Sequence, residues 1–81
     1  MSAYEVEISG WNMGDYSDFF EAGSRNAFKE QFALVAKVMK AWPFEGKPSD
    51  VASYRALSLE QWRGALEAVS EAINRQFQQG N

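Results

Sequence analysis

Asp15, Asp18 and Glu21 recur every three residues in this 81-residue chain. Carboxylates at that spacing on a helix would present oxygen ligands to a hard divalent cation. The simpler reading is a solvated first turn whose acids face the positive end of the helix dipole. Glu60, Glu67 and Glu71 form a second acidic set. Glu67 and Glu71 are like-charged neighbours one turn apart, with Arg63 one turn before Glu67, which reads as a solvent face. The chain has no His and no Cys. The commonest general base and the strongest nucleophile are therefore missing, as are thiolate metal sites and disulfides. Ser17, Ser24, Ser49, Ser53 and Ser58 have no base to activate them and read as caps and polar face positions. GKPSD at 46–50 lacks the spacing of a phosphate-binding loop. The expectation is a non-enzyme with no catalytic residue, no cofactor and no metal.

The elements that would position these residues are mostly helical. AYEVEIS alternates Tyr4, Val6 and Ile8 against Glu5 and Glu7, a half-buried strand pattern over an arm at 1–9. No second segment reads as a strand, so the arm must lie across helices or pair with another chain. Asn12 with Asp15 predicts a capped short helix at 12–23, with Gly23 suited to its left-handed end. Ser24 is the expected cap of a longer helix at 25–41. Its apolar stripe is Phe28, Phe32, Val35, Met39 and Trp42, widened by Leu34 and Val38. Pro43 ends it. Ser49 opens a short turn at 49–55. LSLEQW at 57–62 is the clearest local signal: a capping box from Ser58 to Gln61, and a hydrophobic staple from Leu57 to Trp62. The last helix, 59–78, carries Trp62, Leu66, Val69, Ile73 and Phe77. Gly64, Ala65 and Ala72 leave room for another helix beside it. The fold class is mainly α: one small domain, 1–81, with two long amphipathic helices, one or two short ones and an N-terminal extended arm or short strand.

The connection KAWPFEGKPSD holds both prolines of the chain together with Trp42 and Phe44. A loop at 42–48 in so small a protein has difficulty burying two large aromatics. One reading makes Trp42 and Phe44, with Tyr54 and Trp11, a partner-facing patch held at low entropic cost by the prolines. In the other, Trp42 caps the bottom of a two-helix core and the prolines fix the path of the loop.

Composition bounds the rest. The apolar fraction is 46% and the aromatic fraction 15%, too rich for intrinsic disorder. Net charge is −3, against a nucleic-acid binder. Residues 1–24 carry −5, 25–47 carry +3 and the remainder −1. Either the acidic segment folds over the basic helix, or copies attract one another head to tail. The N-terminus has no basic and apolar leader pattern, and no stretch approaches a bilayer span, so a cytoplasmic protein without membrane contact is expected.

The acidic WNMGDYSDFF segment, the AWPFEGKPSD connection and LSLEQWRGALEAV leading into a terminal helix together resemble the small tail assembly chaperones of tailed phages and prophages. The resemblance spans most of the chain in outline. It implies a helical, non-enzymatic protein acting in the host cytoplasm during virion assembly, with tape-measure and tail-tube proteins as partners. It also implies a longer form made by a −1 ribosomal frameshift near the end of the reading frame. Gln79, Gly80 and Asn81 can be encoded as CAG GGA AAC, which contains the slippery heptamer G GGA AAC. The alternatives are a small structural subunit that self-associates in a virion or other assembly, and a regulator of a host protein. Mimicry of nucleic acid is disfavoured by the lysines of the middle third.

Overall fold

The structure, a computed structural model, describes residues 3–78. Gln79, Gly80 and Asn81, and with them the frameshift expectation, lie outside the described residues. The elements run β1 (Glu5–Val6), a 3-10 turn (Ile8–Gly10), α1 (Met13–Ser24), α2 (Phe28–Val38), β2 (Met39–Ala41), α3 (Val51–Arg55) and α4 (Leu59–Gln78). The fold is mainly helical with two long helices, as the periodicity predicts, and it adds a short strand pair whose second member, β2, falls inside the helix expected at 25–41.

Local chemistry sets the helix starts. At α1 the Asn12 side chain accepts from the Asp15 amide at 2.9 Å, and the Asp15 carboxylate accepts from the Asn12 amide at 3.1 Å. At α4 the Ser58 hydroxyl accepts from the Gln61 amide at 3.2 Å while Gln61 Oε1 accepts from the Ser58 amide at 2.9 Å. Both boxes satisfy donors that a helix start otherwise leaves bare. The short helix α3 is capped by Asp50, which accepts from the Ala52 amide, rather than by Ser49.

The α1–α2 junction differs from expectation. Gly23 and Ser24 remain helical, and Ser24 donates to the Glu21 carbonyl. The left-handed residue is Asn26, at φ 55°. The Ala27 amide donates to the Ala22 carbonyl at 2.8 Å and the Asn26 amide to Gly23 at 3.2 Å, the pair of bonds that defines a Schellman ending. Asn tolerates this conformation better than most residues with a Cβ. Ala27 is the N-cap of α2 and supplies no side-chain hydrogen bond.

Helix α2 stops at Val38, three residues before the expected end, and the chain straightens into β2. Antiparallel pairing sets Glu5 against Ala41 and Val6 against Met39, with an irregularity in register between them. Lys40 is the extra residue of this bulge, exposed to solvent, while Met39 is buried. The Glu7 amide also donates to the Val38 carbonyl at 2.7 Å. The arm thus finds its partner within the chain. Its unpaired backbone groups offer bonds that one more helical turn could not supply to both segments.

The core joins Tyr16, Phe19 and Ala22 of α1, Leu34, Val35 and Val38 of α2, and Trp62, Ala65, Val69, Ala72 and Ile73 of α4. The α2 stripe is rotated from its predicted centre. Leu34 and Val38 are buried along with Val35 and Met39, Phe32 is half-buried and Phe28 is exposed. At Gly64 it is the N-terminal arm, not a helix, that comes close. A Cβ there would lie 2.6 Å from the Tyr4 hydroxyl oxygen.

Candidate functional site: an apolar groove at the start of α2 and α4

Three of the four side chains expected to face a partner are in the core. Trp11 is buried beneath α2. Its indole N–H donates to the Leu34 carbonyl at 2.9 Å, and its ring meets Tyr16 edge-on at 5.4 Å and Phe19 at 5.0 Å. Trp42 is buried, and its indole N–H donates to the Gly46 carbonyl at 3.0 Å. Tyr54 is 1% exposed, and its hydroxyl donates to the Pro48 carbonyl at 2.7 Å. Burial pushes the Tyr54 phenol well up from its ordinary value. Phe44 is half-buried, edge-on to Trp42 at 5.5 Å and to Tyr4 at 6.0 Å. The expected partner-facing patch is corrected accordingly. The two ring-to-carbonyl bonds fold the loop back over α3, and the arm closes over Phe44, so the loop buries its own aromatics.

The Pro-rich connection therefore works as an internal clamp. Gly46 sits at φ 85°, where a Cβ would come within 2.6 Å of Ser53 Oγ. Only glycine takes that conformation and that space without strain. Trp42 then meets Tyr54 in a tilted contact at 4.6 Å, and Tyr54 stacks on Phe32 at 5.8 Å and lies 6.1 Å from Trp62. Aromatic contacts run without interruption from the arm to α4.

Two acids of the α1 run, Asp15 and Glu21, make structural contacts, and Asp18 is exposed. Asp15 closes the capping box and pairs with Lys37 at 3.2 Å. The Asn12 amide holds its carboxyl below the usual range, with a further contribution from Lys37 against partial desolvation. Glu21 approaches Arg25 at 3.7 Å, and Arg25 also pairs with Glu30 at 2.9 Å. The Asp15–Lys37 pair ties the acidic segment to the basic helix within one chain. Among the described residues, no three acidic side chains gather as a cation site.

What stands open is elsewhere. The first turns of α2 and α4 and the end of α3 border a groove of about 370 Å³. Phe32, Tyr54 and Trp62 line it from below, Phe28, Leu57 and Leu59 along its sides, and Lys29 and Arg55 at its rim. Phe28 is 45% exposed and Leu59 62% exposed. Trp62 is buried, yet its indole N–H has no hydrogen-bond partner among the described residues. Neither Lys29 nor Arg55 forms an ion pair among the described residues.

No protein-family model, curated protein or solved structure matches the chain. The groove must therefore be read from its own chemistry. It is open and largely apolar, with cations at the edge and Ser58 beside them. Such a surface binds an apolar side chain and selects by charge. Reasoning from sequence placed Phe28 in the core stripe and left Leu59 unassigned. For Leu59 a signal is present, since it follows the Ser58 cap and opens α4; Phe28 opens α2 only because the helix starts three residues later than the sequence suggests.

Proposed function

We propose that the protein is a non-enzymatic binding adaptor that works through the groove at the start of α2 and α4. The observation that carries this reading is the pairing of exposed Phe28 and Leu59 over a floor of Phe32 and Trp62. Small soluble domains gain no folding stability from two exposed large apolar side chains framing a groove, and clustered apolar exposure marks interaction surfaces. The lack of His and Cys and the structural use of Asp15 and Glu21 support a binding role over catalysis.

Within that reading, the resemblance to tail assembly chaperones supplies the biological setting: transient binding of tape-measure and tail-tube proteins during virion assembly. A chaperone must hold apolar surface ready without aggregating, and a groove rimmed by cations meets that need. The test is co-expression of the chain with the tape-measure and tail-tube proteins of the same gene region, followed by purification of complexes and of finished particles. A complex in lysate with no trace of the chain in particles supports a chaperone. Persistence in particles makes it a structural subunit, and no complex with either protein removes the tail-assembly assignment. An immunoblot against residues 1–81 in the same lysates adds an independent readout. A fainter, longer band sharing this N-terminus is the expected result of frameshifting.

A further inference from the structure

Four observations converge on the chemistry of the partner. The groove is apolar, but its rim carries Lys29 and Arg55, neither in an ion pair among the described residues. Two helix N-termini open onto it, and that of α2 has no side-chain cap. Both dipoles therefore favour negative charge at the groove. The acids nearest in sequence are diverted or displaced: Glu30 is paired with Arg25, and Glu60 does not line the groove. Trp62, on the floor of the groove, is buried with an indole N–H that has no partner among the described residues.

We infer that this groove docks an acidic amphipathic segment of a partner protein, which inserts apolar side chains between Phe28, Leu57 and Leu59 and sets its carboxylates against Lys29 and Arg55. The inference rests on the protein-binding reading above and specifies the partner. A second copy of the chain docked symmetrically would bring Lys29 and Arg55 of both copies to one interface, and like charges there are unfavourable. A basic or nucleic-acid-mimicking segment is wrong for apolar contact, charge or both. A helical segment with anchors one turn apart matches an open groove bordered by helix ends.

The experiment uses the full chain, labelled with ¹⁵N, and two synthetic helical peptides of roughly 15 residues with apolar anchors four apart. One carries Glu on its flanks and the other Lys in the same places. The acidic peptide is expected to shift the amides of Lys29, Phe32, Arg55 and Leu57–Trp62, and the indole N–H of Trp62. Leu59→Glu and Arg55→Glu each weaken its binding about tenfold or more, as loss of a central anchor or a matching charge does. Both positions are exposed, so amide spectra of the variants should stay dispersed and native-like. Equal binding of the two peptides overturns the charge assignment. Shifts confined to other surfaces, or none, overturn the site. Groove shifts on simple concentration of the protein, without peptide, would assign the groove to self-association and also overturn the proposal. A complex with a native protein partner that is lost in Leu59→Glu but unchanged in Arg55→Glu leaves the groove adaptor standing and removes the acidic-segment assignment.

Discussion

Two tryptophans in one aromatic cluster differ in a single respect that stability measurements can isolate. Trp42 donates to the Gly46 carbonyl, whereas Trp62 donates to nothing among the described residues. Replacing either with Phe removes similar volume, but only Trp42→Phe breaks a hydrogen bond that closes a loop. A net hydrogen bond contributes about 1 kcal/mol, and an unmet buried donor costs about 1–3 kcal/mol. Trp42→Phe should therefore destabilise more than Trp62→Phe by about 2–4 kcal/mol in urea denaturation; equal losses would mean that Trp62 has a partner in solution. Asp15 provides a second test at this scale. Its folded carboxyl is held below the ordinary value of 3.8, chiefly by the Asn12 amide. The stability it contributes is present above that ordinary value and is lost as pH falls through the lowered one. Asp15→Asn should flatten the acid limb of the stability profile below about pH 5, relative to the parent chain.

At the scale of elements, α4 and the N-terminal arm are coupled through a glycine. An alanine at an exposed helical position is favoured over glycine by about 1 kcal/mol. At Gly64 that gain is opposed, because the added carbon would lie 2.6 Å from the Tyr4 hydroxyl oxygen. The expected outcome is that Gly64→Ala destabilises the parent, yet is neutral or stabilising once Tyr4→Phe has removed that oxygen. A double-mutant cycle by thermal melting reads the coupling directly, and additive effects would mean the arm does not rest on α4. The elements also vary in how far they can be read ahead. The capping boxes at Asn12 and Ser58 are bonds between residues three apart, so residue types and spacing nearly suffice to locate them. The end of α2 is different. Nothing between 25 and 41 announces a break before Pro43; β2 exists because β1, more than thirty positions away, needs a partner.

At the scale of the molecule, the chain forms a slab of 38 × 32 × 19 Å. Such a shape has little depth in which to hide large side chains, and it spends that depth on Trp11, Trp42, Tyr54 and Trp62. The aromatic contacts from Tyr4 through Phe44, Trp42 and Tyr54 to Phe32 and Trp62 link the arm, the loop, α2, α3 and α4. Unfolding should therefore be a single cooperative step. Near-ultraviolet signals from the buried rings and far-ultraviolet signals from the helices are expected to melt together. A separate earlier loss of the aromatic signal would show that the loop detaches on its own. Among the described residues, no helix is long and apolar enough to cross a membrane.

The amino-acid sequence by itself determined the helical class, the two capped helix starts, the apolar stripe of α4 from Trp62 to Ile73, though not to the exposed Phe77, and the absence of imidazole and thiol side chains. These depend on residue type and on separations of three or four positions, over which the backbone geometry is already known. Only the tertiary structure decided which aromatics are core and which are surface. Trp42 and Tyr54 are buried because their polar ends find the Gly46 and Pro48 carbonyls once the loop folds back. Phe28 and Leu59 are exposed because each begins a helix at an edge that no other described element covers. Burial is a property of what lies across a gap in space, and a position's own neighbours in sequence do not specify it.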